Sequence, residues 1–567
     1  MSAQSLSCAL LSSFTLDPLA GLVTRRVEPL GMGCRWFVGP FNQYAQVILA
    51  DNSDLVAAQP HVVMLAVAIE DLLEQLPSPW TNKAKRQAEA DRRIEEFLSL
   101  VRCLSARVPS AAVFIHDFLP LAPQGHTVLA GQSEGSLRRM ATQANHLLAK
   151  LVAGLPNAHI VCLSDAFRAL PASALYDPRL YYIAKMRLGR PALDALAEFY
   201  GRLLSAYAGL RKKCIVLDLD NTLWGGVLGE DGLDGLQLSD DGPGKAFQDM
   251  QRILLDYYET GTLLAICSKN DEPLAMTAIR EHPGMVLRPR HFAAWRINWE
   301  DKASNLFALA KELNLGVDSL VFLDDSPFEC AEVQRLAPQV TVRQMPSDPS
   351  DYPAFVAQLP YFDALSTTED DRRRGQMYVE DRERRVLEQS TGSLEDFLRG
   401  LDIQVAVSRA DRQMIPRLAQ LSQRTNQFNL TTRRYTESDL QTMLENENWR
   451  LYGVLASDRI GDSGISGGAF VQMDPATTTA RLDNFLVSCR VLGRGIESAF
   501  LAGIISDLRM NGMTSIAAEY IPSERNGLAR DYLAQHGFAF DQKLWRRTTA
   551  EGDALCPGWI HLSRISK

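Results

Sequence analysis

"CIVLDLDNTLWGGVLGEDG" (residues 214–232) sets two aspartates, Asp218 and Asp220, where a short apolar run gives way to a glycine-bearing turn. Ile215, Val216, Leu217 and Leu219 give the run the character of a strand buried on both faces. On a regular strand, side chains two positions apart share a face. Asp218 and Asp220 are therefore expected side by side at the strand's C-terminal end, where open parallel sheets receive their ligands. Two carboxylates that close repel each other unless a cation joins them, and hard oxygen donors suit Mg²⁺.

Three more pieces stand at the ends of other strands. Ser268 closes "LLAICSK", Lys302 opens a helix in "WEDKASN", and Asp324-Asp325 end "LVFLDDS". They add a hydroxyl donor, a fixed positive charge and further oxygens for a metal. Phosphoryl transfer needs this inventory, because positioning and charge neutralisation carry most of its catalysis. Asp218 would attack phosphorus and form an aspartyl-phosphate, and Asp220 would serve as acid and then base. The loop at Asn221 and Thr222 would offer backbone donors to the phosphate.

In this order the four pieces resemble the motifs of the haloacid dehalogenase superfamily. The resemblance implies Asp218 as nucleophile, Asp220 as acid/base, and Ser268 and Lys302 as phosphate ligands. Its metal site would use Asp218, the Asp220 main-chain carbonyl, Asp324 and Asp325. Many relatives insert a cap domain after the first or second motif. Here about 45 residues separate Asp220 from Ser268 and about 33 separate Ser268 from Lys302, too few for a domain. The site is expected to be open, with another domain or a macromolecular partner excluding water.

A chain of 567 residues exceeds one hydrophobic core, and three or four domains are expected. Strand-like runs "RWFVGP", "HVVMLAV", "AAVFIHDF" and "AHIVCLSD" alternate with helical patterns over residues 1–205, which predicts a three-layer α/β domain. Residues 206–350 repeat the pattern around the opening stretch. Residues 351–400 read as a helical linker, with Ser366–Glu369 and Ser393–Asp396 as N-terminal caps. Residues 401–567 read as a mixed α+β domain ending in a helix over "NGLARDYLAQHGF". Net charge is −9 with both signs interspersed, which excludes a nucleic-acid stripe. Nine cysteines contain no CxxC pair, so reduced thiols in a cytoplasmic protein are expected. No apolar run is long enough to cross a membrane, and none is expected as a partner.

Beyond the superfamily signature, "SFTLDPL", "GPFNQY", "DLDNTLWGGVLGEDG", "CSKND", "RTNQFNLTTRRY" and "SCRVLGRGIE" resemble the FkbH-like glyceryltransferases of polyketide pathways. The resemblance spans nearly the whole chain. It implies a donor, 1,3-bisphosphoglycerate, that is dephosphorylated and loaded through an enzyme cysteine onto the phosphopantetheine arm of an acyl carrier protein. The alternative is a Mg²⁺-dependent phosphatase without acyl transfer, and a third reading is a non-catalytic docking subunit.

"RVLGRG", residues 490–495, resembles the phosphate-binding loop of the N-acetyltransferase-like fold, with backbone N–H groups ahead of a helix. Arg490, Gly493, Arg494, Gly495 and Asn526 are the expected pantetheine-binding residues. Cys489, beside that loop, is the first choice for the acyl-bearing thiol because a helix N-terminus and Arg490 stabilise a thiolate. Cys267 is the second choice, although its neighbour Ser268 faces the opposite way on a regular strand. Residues 1–205 resemble an SGNH-hydrolase scaffold lacking its nucleophile block. Ser13 stands in its place without an Asp-x-x-His pair near residue 190, so a docking or covering role is expected rather than hydrolysis.

Overall fold

The computed structural model describes residues 4–51, 53–78, 82–123, 127–365, 367, 369–425, 427–523, 526–550 and 556–563. The chain forms two compact units, one of residues 1–211 with 360–366, the other of residues 212–359 with 367–567.

The first unit is built on five parallel strands: β1 (Gln4–Ser12), β2 (Met32–Val38), β3 (Val62–Ala66), β4 (Ala112–His116) and β5 (Ala158–Val161). Their order is β2-β1-β3-β4-β5. Leu6, Cys8 and Leu10 of β1 join one apolar core with the helices Pro18–Val27 and Arg190–Tyr207. Ala9 and Leu11 join another with the helices Lys83–Arg107 and Leu137–Val152. Period-two alternation thus puts helices on both faces, the three-layer α/β arrangement expected. Sequence reading missed β1, the strand between β2 and β3, because three serines interrupt the apolar run in "SLSCALLS".

The second unit contains another parallel sheet: β6 (Cys214–Leu217), β7 (Leu263–Ser268), β8 (Phe292–Ile297), β9 (Leu320–Asp324) and β10 (Thr341–Gln344), in the order β10-β9-β6-β7-β8. The crossover helices are Gly242–Glu259, Glu272–Glu281, Lys302–Glu312 and Pro327–Leu336. Strand β6 lies between β7 and β9, so the chain departs from it in both directions. That makes its C-terminal end the switch point where α/β sheets bind ligands. One expectation needs correcting: β6 stops at Leu217, so Asp218 and Asp220 are not partners on a strand face. Asp218 keeps one ladder bond, from its N–H to the Leu323 carbonyl, and the chain then turns at Asn221 with φ +54.

The helical linker is more integrated than its charge suggests. The helix Tyr352–Ala357 packs on Gly242–Glu259, and residues 360–366 belong to the first unit, where Arg202 donates to Asp363 at 2.7 and 2.9 Å. Ser393 caps the helix Leu394–Gly400 by accepting the Asp396 N–H, as expected; Ser366 lies outside the described residues.

The C-terminal strands are β11 (Ile403–Arg409), β12 (Trp449–Ser457), β13 (Asp462–Asp474), β14 (Thr479–Val487), β15 (Ser515–Ala518), β16 (Ala539–Phe540), β17 (Trp545–Thr548) and β18 (Ile560–Ser563). They form one mixed sheet, β16-β17-β15-β14-β13-β12-β11-β18. The buried helix Ile496–Met510 links the parallel pair β14 and β15. The single last helix of the sequence reading is instead a turn of 3₁₀ helix, Gly527–Ala529, and a short helix, Tyr532–Gln535.

Candidate active site

Lys302 is the first residue of its helix, and Asp301 caps that helix by accepting the Ser304 N–H. The cap fixes the first turn and directs the lysine inward. Its Nζ donates to Asp324 Oδ2 at 2.6 Å and stands 3.1 Å from Asp218 Oδ2. The three side chains are 4%, 0% and 10% exposed. Burial opposes the Lys302 charge, but the carboxylates of Asp218 and Asp324 together outweigh it and hold its pKa above the ordinary lysine value. Burial, and after it the Asp218 charge, pushes the Asp324 carboxyl upward.

One lysine does not satisfy this cluster. Among the described residues Asp218 Oδ1 is buried with no hydrogen-bond partner. An unpaired acceptor at that depth costs on the order of 1–3 kcal/mol, so the oxygen is suited to take a cationic ligand. Asp218, Asp324 and Asp325 each bring one carboxylate oxygen within 4.8 Å of the others. Hard oxygens at that spacing suit a divalent cation such as Mg²⁺. The Asp220 carboxylate is outside this group: its Oδ1 accepts from Trp224 Nε1 (2.9 Å) and the Leu228 N–H (3.1 Å), and its Oδ2 from Asn270 Nδ2 (3.0 Å).

The remaining expected residues surround the cluster. Thr222 Oγ1 accepts the Asp325 N–H at 3.1 Å and stands 3.3 Å from Asp325 Oδ1, tying the first motif to the last. Asn221 Oδ1 accepts the Gly226 N–H at 3.0 Å, and its carbonyl accepts the Tyr352 hydroxyl at 2.8 Å. Gly226, at φ +94, lets the chain double back where a Cβ would meet the Asp231 carboxylate. Ser268 ends β7 as a buried residue. Cys267 points away, its Sγ against the Lys302 carbonyl at 3.7 Å, fully buried, and burial pushes its thiol well up. A thiol in that state is core, not nucleophile.

Sequence reading missed Asn270, Trp224 and Tyr352 as site residues. The first two lie inside quoted motifs, but no spacing rule tells that they converge on Asp220. Tyr352 is 131 positions from Asn221, and nothing local points to it.

The loop 490–495 lies beside a cavity of about 750 Å³ shared with the end of the helix Lys302–Glu312 and with the helices Arg374–Ser390 and Leu394–Gly400. Arg490, Gly493 and Arg494 line it, with Lys311 and Phe397 among the residues opposite. Arg494 is paired with Asp381 (2.9 Å) and Asp458 (3.6 Å). Gly493, at φ +80, has open space where a side chain would go, whereas a Cβ on Gly495 would meet Pro557 at 2.7 Å. The Cys489 side chain lies outside the described residues.

Asn526 is in a different place from its expected partners. It is fully buried, and Nδ2 donates to the carbonyls of Asn429 and Ile521 at 2.9 Å each. Strands β14 and β15 pair only from Thr479–Ser515 to Leu482–Ala518 and then separate. Residues Phe428–Leu430 fill the gap: Leu430 N–H donates to Phe485, Val487 N–H to Phe428, and Ile521 N–H to Leu430. Asn526 therefore fastens a piece of this chain between the strands, with both hydrogens of its side-chain amide engaged there.

In the first unit, Ser13 Oγ donates to Asp71 Oδ2 at 2.8 Å and accepts the Ala68 N–H at 3.0 Å, while Arg187 pairs with Asp71. Among the described residues no imidazole bonds to Ser13; His116 is bonded to the Tyr200 hydroxyl at 2.8 Å.

No protein-family model matches the chain, and no curated protein matches it. Solved structures do. The N-terminal part of the protein BF1531 from Bacteroides fragilis, containing a phosphatase domain complexed with Mg, is 29% identical over 64% of this chain and 96% of its own, with a TM-score of 0.58. The ribosomal-protein-S18-alanine N-acetyltransferase from Escherichia coli is 15% identical over 26% of this chain and 94% of its own, with a TM-score of 0.21. Ard1 from Thermoplasma volcanium is 17% identical over 26% and 99%, again with a TM-score of 0.21. The first of these supports a phosphatase-type α/β core. The reading of residues 401–567 rests on their own strand order. Among the described residues no helix is long and apolar enough to cross a membrane.

Proposed function

We propose that this chain is a Mg²⁺-dependent phosphoryl-transfer enzyme of phosphatase type, with Asp218 as nucleophile. The observation that carries the reading is the buried Asp218 Oδ1, unpaired among the described residues, beside Asp324, Asp325 and Lys302. The phosphatase domain complexed with Mg in the similar structure supports it. Asp218, Asp324 and Asp325 would hold the ion, which when bound supplies charge neutralisation for the phosphoryl oxygens.

The chain's own groups do the rest. An Asp218 oxygen attacks phosphorus, the bond to the leaving oxygen breaks, and Asp220 gives that oxygen its proton. Water then attacks the aspartyl-phosphate, its proton passes to Asp220, and Asp218 is released with inorganic phosphate. Lys302, 3.1 Å from Asp218, faces the charge that builds on the phosphoryl group.

The finer reading is a glyceryltransferase acting on 1,3-bisphosphoglycerate. A cysteine thiolate would attack the acyl-phosphate carbonyl and expel that phosphate with its bonding electrons, leaving a 3-phosphoglyceryl thioester; the Asp218 site would hydrolyse the remaining phosphate ester, and the glyceryl thioester would pass to a carrier protein's phosphopantetheine thiol. The FkbH-like motifs along the chain and the cavity at Arg490, Gly493 and Arg494 support this. Cys267 is unsuited to the thiolate role, which leaves Cys489 as the choice. Intact-mass measurement of a carrier protein incubated with enzyme, Mg²⁺ and 1,3-bisphosphoglycerate tests it. A glyceryl adduct is expected; released phosphate with unmodified carrier leaves the phosphatase alone.

A further inference from the structure

Asp220 is held by three donors of different kinds, and their distribution between its two oxygens is unequal. Oδ1 accepts from both Trp224 Nε1, at 2.9 Å, and the Leu228 N–H, at 3.1 Å. A carboxylate oxygen has two lone pairs in its plane, so Oδ1 is fully used. Among the described residues Oδ2 accepts only from Asn270 Nδ2, at 3.0 Å, and keeps a second lone pair.

The Asn270 amide has one orientation. Its Oδ1 accepts the Asp271 N–H at 2.9 Å, and Asp271 in turn caps the helix Glu272–Glu281 through the Leu274 N–H. Turning the amide over would set oxygen against the Asp220 oxygen and nitrogen against an N–H. Asn270 is 5% exposed and Trp224 is fully buried, so water does not take over either donor readily. Trp224 sits in the same turn as Asp220, and Leu228 begins the helix that follows the glycine pair.

We propose that Asn270, with Trp224, is a positioning residue for Asp220, and that Asp220 accepts and delivers its proton through Oδ2. The two donors on Oδ1 exclude a proton there, and the Asn270 amide fixes the rotation of the carboxyl so that the second lone pair of Oδ2 has one direction. This rests on the phosphoryl-transfer reading above. It adds that acid catalysis, not phosphate binding, is what Asn270 serves.

The leaving group tests it. A 4-nitrophenolate departs without a proton, whereas an alkoxide from glycerol 2-phosphate needs one. Hydrolysis of both esters is measured for wild type, Asn270→Ala and Trp224→Phe at saturating Mg²⁺, with thermal unfolding recorded for each protein. For Asn270→Ala the alkyl ester's kcat/KM, which reports the step in which the leaving group departs, is expected to fall roughly 30-fold further than the aryl ester's, out of the about 10²–10⁴ that a general acid contributes. KM should change little, and Trp224→Phe should show the same bias to a smaller degree. Equal losses on both esters, or none, would overturn the proposal. If Asp218→Asn keeps wild-type rates on both, the phosphoryl-transfer reading itself fails, a result distinct from either.

Discussion

Replacing Lys302 by methionine removes a cation from between two buried carboxylates while keeping the length of the side chain. At 2.6 and 3.1 Å the two contacts are each worth about 5–6 kcal/mol of gross attraction at an effective dielectric constant of 20, before desolvation is counted. Desolvation cancels much of that, and removing one partner from such a group costs about 3–5 kcal/mol, because the remaining charges stay buried and unpaired. Without metal, the Lys302→Met protein should therefore unfold roughly 8 °C lower, taking about 2 °C per kcal/mol for a unit of this size. Mg²⁺ supplies positive charge to the same carboxylates, so it should recover more stability in the variant than in wild type. Turnover should stay about 10²–10³ lower even with Mg²⁺, because the charge facing the phosphoryl group is fixed in position only by the lysine. Differential scanning calorimetry with and without Mg²⁺, together with phosphate release, reads both effects. An unchanged transition without metal, or equal Mg²⁺ stabilisation in both proteins, would refute the reasoning.

Two further outcomes follow from buried polar groups away from this centre. Asn526→Ala leaves two carbonyls without their donor, and should lower stability by about 2–3 kcal/mol while phosphatase turnover stays within twofold; chemical denaturation and phosphate release check it. His116 is buried on Tyr200, and burial lowers its pKa to about 3. A depressed folded value stabilises the neutral form, so its contribution is complete above about pH 6.5 and is lost as pH falls toward 3. At pH 5 the loss is about 2 kcal/mol, and His116→Gln should remove that part of the acid sensitivity seen by pH-dependent thermal unfolding.

The centre of the site could be read from sequence because its parts stand at strand ends and helix starts. Asp218, Lys302, Asp324 and Asp325 come together as expected, since a parallel sheet gathers its C-terminal ends at one rim. What failed was local geometry. The strand β6 ends one residue before Asp218, and the turn sends the Asp220 carboxylate to Trp224 and Asn270 instead of beside Asp218. Period-two reasoning has no way to detect where a ladder stops. Asn526 failed for a tertiary reason: its partners, Asn429 and Ile521, come from a segment almost a hundred residues earlier and from its own loop. β1 was passed over because Ser5, Ser7 and Ser12 break up its apolar run.

Acid-quenched peptide mapping after brief mixing with an acyl-phosphate donor addresses the central claim most directly. The account predicts one phosphoryl group on Asp218, present with Mg²⁺, absent without it and absent from Asp218→Asn. Phosphate released at full rate by the Asp218→Asn protein, or a phosphoryl group trapped on another side chain, would contradict it.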